Sequence, residues 1–143
     1  MNLEPETSSI ANAERVHAVW DYYDGPREGI ADFQGKPHVF KCQFSETEDD
    51  WTDLFWLMEI SPKLLQLAKE KYAIFGRWKA EFELGNAPSD SHPALRADRV
   101  RYDELGATIG DGLQLRPERS ITRRGRFLNR SSFDGAVVQW AMP

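Results

Sequence analysis

The sequence predicts an α+β protein: an antiparallel sheet of three to five strands, SH3-like in curvature as one form of it, packed against one long amphipathic helix plus a shorter helix. Three observations predict it. Residues 38–44 alternate apolar and polar side chains with the period of a half-buried strand. Residues 61–84 repeat apolar side chains at helical spacing behind a Ser-Pro start. With 143 residues, 41% of them hydrophobic and 29% charged, the chain has the size and composition to bury one core without staples.

Residues 1–13 (MNLEPETSSIANA) are polar and read as a flexible tail, and residues 14–143 read as a single α+β domain. Order begins near Val16 to Trp20, and Asp24-Gly25-Pro26 marks a tight turn. Ile30 to Gln34 reads as a strand, Gly35-Lys36-Pro37 as a turn, and His38 to Phe44 as the return strand. In it Phe40, Cys42 and Phe44 share one face. Ser45 to Asp50 is a solvated loop, and the apolar run Thr52 to Ile60 suits a strand covered on both faces.

Ser61 then offers an N-cap oxygen and Pro62 a first-turn proline. At 100° per residue Leu64, Leu67, Ala68, Phe75, Trp78 and Phe82 fall on one helix face, with Gln66, Glu70 and Arg77 opposite. Lys71 and Lys79 intrude on the apolar sector through snorkelling stems. Leu84-Gly85 stops the helix. A shorter helix is expected over residues 95–105, with Val100 and Leu105 turned inward, and Gly106, Gly110 and Gly112 break the chain beyond it. Residues 116–130 are rich in arginine and match no template, whereas Asp134-Gly135 is a turn into a closing strand, Ala136 to Met142.

The formal charge of −5 is unevenly spread. Residues 1–60 hold thirteen acids against four bases, and residues 111–143 hold six arginines against three acids. Such asymmetry bears on partners rather than on fold. One cysteine, Cys42, forms no intramolecular disulfide, so nothing points to an oxidising compartment. The first residues lack a signal peptide's apolar core, and no apolar stretch spans a bilayer; a cytoplasmic location with no membrane association is expected.

No Walker A loop, GxGxxG or GxSxG motif is present. His17, His38 and His92 are far apart and the single cysteine builds no zinc site, so neither metal nor cofactor is expected. His38 and Cys42 would share a strand face about 13 Å apart, too far for proton transfer, and Cys42 reads as a small buried hydrophobe. No residue is assigned a catalytic role.

Three groups remain as binding candidates. Around the first turn, Asp21, Tyr22, Tyr23, Asp24 and Arg27 gather two carboxylates, two phenols and a guanidinium. Turn chemistry accounts for most of this, with Asp24 accepting backbone N–H groups and Arg27 pairing with Asp21. The acidic run Glu46, Glu48, Asp49, Asp50 and Asp53 surrounds Trp51 and lacks the ligand pattern of a calcium loop. It reads as a solvated loop or, more sharply, as a docking surface with Trp51 as anchor. Arg116, Arg119, Arg123, Arg124, Arg126 and Arg130 could neutralise phosphates, but only Phe127 interleaves them, and pairing with the acidic half of the chain is favoured.

The string YYDGPREGIADFQGKPHVF followed by DDWTDLFWLMEIS resembles a group of small uncharacterised bacterial proteins that share a Tyr-Asp-Gly-Pro-Arg turn, a Gly-Lys-Pro hairpin and a following Trp-rich helix. The resemblance covers residues 20–85 and implies a bacterial origin and no activity. The function expected is that of a non-enzymatic interaction protein, of immunity or inhibitor type, holding a protein partner through its acidic, aromatic-bearing surface. Phosphate or nucleic-acid binding through residues 116–130, or a small enzyme built on Asp21 to Arg27, are the alternatives.

Overall fold

A computed structural model of the protein describes residues 12–128 and 136–143. Residues 1–11 of the tail expected over residues 1–13, the Asp134-Gly135 turn and Arg130 lie outside the described residues. The chain gathers into two compact units. One joins the residues up to Ile60 with Gln114–Pro143, and the other is Ser61–Leu113.

The first unit is a closed antiparallel barrel of six strands: β1 (Glu14–Tyr22), β2 (Pro26–Phe33), β3 (Lys36–Ser45), β4 (Asp50–Glu59), β5 (Ile121–Leu128) and β6 (Val137–Ala141). This overturns the open sheet of three to five strands. Four strands follow in hairpins, β5 pairs with β4 although the whole second unit intervenes in sequence, and β6 joins β5 to β1 through Glu14↔Val138 and Arg15↔Val137. A closed sheet fills its interior with its own side chains, so it needs no helix laid across an open face as the sequence reading supposed.

One ring from each of four successive strands fills that interior. Phe40 (β3), Phe55 (β4), Phe127 (β5) and Trp140 (β6) have all six pairs of ring centroids between 5.2 and 6.3 Å apart. Val16, Val19, Ala31, Cys42, Leu57, Ala136 and Val138 join them in this core. Tilted and edge-on pairs of this kind add about 0.5–1.5 kcal/mol each beyond the area they bury. Two glycines clear space for the rings. A Cβ on Gly125 would stand 2.6 Å from the Trp140 ring and 2.9 Å from that of Phe55, and one on Gly29 would fall on the Ala18 carbonyl oxygen.

Local chemistry sets the turns. Gln34 and Gly35 both have positive φ (55° and 77°), so the β2–β3 hairpin has a two-residue type I′ turn, one residue earlier than Gly35-Lys36-Pro37. The Glu14 carboxylate accepts both N–H groups of that turn at 2.8 Å. Phe40 and Cys42 are buried as expected, but Phe44 is 46% exposed, because the β3–β4 register shifts between Cys42 and Phe44 and re-aims the strand end. The Trp-bearing segment DDWTDLFWLMEIS, part of the resemblance to a group with a Trp-rich helix, forms β4.

The second unit holds α1 (Pro62–Glu83) and α2 (Arg99–Ile109). Ser61 caps α1 by accepting the Leu64 N–H, Pro62 begins it, and Gly85 at φ 82° ends it, with Gly85 N–H on the Phe82 carbonyl and Asn86 N–H on that of Glu81. The expected face is partly corrected. Leu65, Ala68, Ile74 and Trp78 are the buried side chains, and Phe82 is exposed at the end of a Phe75–Trp78–Phe82 ring stack. Ile74 packs with Ala94 and Leu105, and Lys71 lies over the Tyr102 ring at 5.0 Å. The shorter helix starts later than expected and runs through Gly106 to stop at Gly110. Leu105 is buried, whereas Val100 is 70% exposed rather than inward. The Arg101–Glu70 and Arg77–Asp98 ion pairs tie α2 and its N-terminus to α1.

Glycine substitutions separate the two roles of this residue. Gly125→Ala is expected to cost about 1–3 kcal/mol in urea unfolding through overpacking, and Gly29→Ala at least as much. Gly76→Ala in α1, where the new Cβ meets nothing within 4 Å, is expected to stabilise by about 0.5–1 kcal/mol.

Candidate functional site

The β1–β2 turn, an irregularity in β4 and the second half of β5 meet at one mouth of the barrel. In the turn, Asp24 and Gly25 have φ of 55° and 122°, and the Tyr23 N–H is bonded to the Gly25 carbonyl at 2.9 Å. The Tyr23 and Asp24 carbonyls accept Arg27 Nε–H at 2.7 Å and Nη2–H at 3.0 Å. Arg27 Nη1 approaches Cys42 Sγ at 3.5 Å, and its guanidinium lies over the Trp51 ring at 5.1 Å. Backbone carbonyls and a ring therefore hold this cation, not the Asp21 carboxylate expected to pair with it. A cation over an indole is worth about 0.5–2 kcal/mol, more as water is excluded.

In β4, Cys42 pairs with Phe55 and Phe44 with Trp51, so Thr52, Asp53 and Leu54 oppose the single residue Gln43. The Thr52 hydroxyl pins the bulge by donating to the Gln43 carbonyl at 2.8 Å and accepting the Leu54 N–H at 3.1 Å. Asp53 projects from it and meets Arg124 of β5, both carboxylate oxygens sharing Nη1 at 2.6 and 2.7 Å. Among the described residues, that arrangement leaves the Nε–H and Nη2–H groups of Arg124 available. Arg126 is exposed and has no carboxylate partner among the described residues.

These groups line a cavity of about 380 Å³, within the size range of small-ligand sites. Phe55 and Phe127 are its buried apolar surface. Arg27, Arg124 and Arg126 face Asp24 and Asp53 around it, so three cations meet two anions in a protein of net negative charge.

Of the residues singled out in the sequence, Asp24 and Arg27, Asp53, and Arg124 and Arg126 thus come together, so each of the three candidate groups contributes. Asp21 does not line the cavity, which leaves the turn's carboxylates unpaired as an acid–base couple. Tyr22 and Tyr23 are exposed beside it. Glu48, Asp49 and Asp50 are exposed on the β3–β4 hairpin, where Trp51 packs edge-on against Phe44 at 5.1 Å under Arg27. Arg123 points away, over the Phe33 ring at 5.3 Å. Asp53 and Phe55 were legible only as members of an acidic and an apolar run; nothing local marks them as cavity residues. Among the described residues no group of three or more His, Cys, Asp or Glu is placed to hold a metal ion. Among the described residues no helix is long and apolar enough to cross a membrane.

No family model, curated protein or solved structure matches the chain.

Cys42 is buried behind Arg27, and its thiol donates to the Thr52 carbonyl at 3.1 Å. Burial raises its pKa above the ordinary thiol value, with Arg27 opposing more weakly. Alkylation by iodoacetamide at pH 8 should be slow in the native protein and become fast in denaturant. Equal rates in the two states would contradict the buried, neutral thiol.

Proposed function

We propose that this protein is a binding module that holds a phosphate-bearing small ligand at the arginine-lined mouth of its barrel. The carrying observation is that Arg27, Arg124 and Arg126, distant in sequence, line one cavity, with Arg126 lacking a carboxylate partner among the described residues. Guanidinium forks match phosphate oxygens, and charge-assisted hydrogen bonds are about twice as strong as neutral ones. Arg27 is already fixed by two carbonyls and a ring, so binding need not order it. The cavity offers a cation set and an apolar surface but no nucleophile–base pair, which favours binding over catalysis.

The partner-binding reading stands second. It is supported by Tyr23, 69% exposed, and Phe44 beside the acidic residues Glu48, Asp49 and Asp50. Nucleic acid fits less well, since those carboxylates would repel a polyanion.

Calorimetric titration with inorganic phosphate at low salt tests the first reading. Arg126→Ala should weaken binding roughly 10-fold to 100-fold, the loss of charge-assisted bonds worth about 1.5–3 kcal/mol, without lowering the unfolding midpoint. A change under twofold, or no phosphate binding by the unaltered protein, would remove it. For the second reading, charge reversal at Glu48, Asp49 and Asp50 together should abolish capture of a protein partner in a pull-down while leaving phosphate binding intact. Undiminished capture would count against that surface.

A further inference from the structure

We infer that the ligand of this mouth is an aryl phosphomonoester, with its phosphate among the arginines and a single aromatic ring against Phe55 and Phe127. This rests on the anion-binding reading above and adds the body that the anion carries. Size is the first reason. A cavity of about 380 Å³ lies within the size range of small-ligand sites and offers more room than an inorganic phosphate needs.

The second reason is the separation of chemistry within the cavity. Arg124 and Arg126 occupy exposed, alternate positions of β5, while the intervening Gly125 carries no side chain and Phe127 is buried. A ligand that satisfies both parts must be anionic at one end and apolar at the other. An anion with a polar body would leave the two phenylalanines facing polar atoms and gain nothing from them.

Depth supplies the third reason and limits the shape. Behind Phe55 and Phe127 stand Phe40 and Trp140, with centroids 5.2–5.9 Å from them, so the bore is filled and admits no long acyl chain. On the wall, Gly25 at φ 122° presents bare backbone, and a Cβ there would meet nothing within 4 Å. A compact flat body fits this shallow slot, and ring-on-ring contact with the phenylalanines adds to its burial. Three guanidinium groups against two carboxylates favour the doubly charged phosphate over a carboxylate.

The test is a ligand series on the unaltered protein: inorganic phosphate, glycerol 3-phosphate, benzoate, phenyl phosphate and a short phosphotyrosine peptide, read by calorimetry and by tryptophan fluorescence. Phenyl phosphate should bind about tenfold more tightly than inorganic or glycerol phosphate, and more tightly than benzoate. A phosphotyrosine peptide tighter than phenyl phosphate assigns the aryl phosphate to a protein-borne source, and equal binding assigns it to a free one. Phe127→Leu should shrink the advantage of phenyl phosphate over inorganic phosphate, read as the ratio of the two affinities within that variant. Phe55→Leu serves the same purpose if the first variant unfolds. Equal affinity for phenyl and glycerol phosphates, or benzoate binding as tightly as phenyl phosphate, would overturn the inference and leave the anion site standing. Failure of every phosphate to bind would remove both.

Discussion

The mutual contact of Phe40, Phe55, Phe127 and Trp140 is the constraint on which the rest of the barrel depends. Each ring comes from a different strand, and the four strands β3 to β6 are successive neighbours around the wall. Their packing therefore holds together the β4–β5 pair, whose partners are separated in sequence by the whole second unit. The Trp140 indole extends the tie across the bore by donating to the Asp32 carbonyl at 2.9 Å, and Asp32 in turn meets His17 of β1 at 2.8 Å. Rings of this size fit only because Gly29 and Gly125 remove the Cβ atoms that would collide with them or with their neighbours. Closure leaves few edges for pairing with other chains.

The mouth is a consequence of that filling. Four aromatic rings occupy the bore, and at its end the described residues form a shallow cavity whose apolar surface includes Phe55 and Phe127. Around it the charge asymmetry of the sequence resolves into geometry. The Arg124–Asp53 pair joins the basic segment to the acidic half, as charge balance had suggested, but both side chains are substantially exposed, and such a pair contributes little to stability. Arg27 is fixed instead by backbone carbonyls and Trp51, so it keeps its full charge next to the cavity. The tryptophan read as an anchor for a partner is also a support for an arginine.

Features that the sequence displayed plainly are those decided within a few residues. Ser61-Pro62 and Gly85 bound the long helix where expected, because a hydroxyl, a locked φ and a left-handed backbone position act on the nearest peptide groups. The alternation Phe40-Lys41-Cys42 likewise found the inner face of β3. The arginine-rich strand was hidden for a physical reason. Its inward positions are Arg123 and Gly125 before Phe127, so the period-2 hydrophobic signal is almost absent, and its apolar partners are supplied by Phe55 and Trp140 on other strands. Phe44 misled because a register shift turns it to solvent, and Val100 because it lies five residues, about 140° of helix, from the buried Leu105.

Sequence by itself determined the ends of the long helix, the hairpin positions to within a residue, the inner face of β3 and the uneven charge, all of which arise from neighbouring residues or from composition. Only the tertiary structure decided that the sheet closes, and that Arg27, Asp53, Arg124 and Arg126 share a cavity over Phe55 and Phe127. Closure depends on pairings between strands far apart in the chain, and on whether one ring from each fits the space between them. Neither quantity is written in any local stretch of residues.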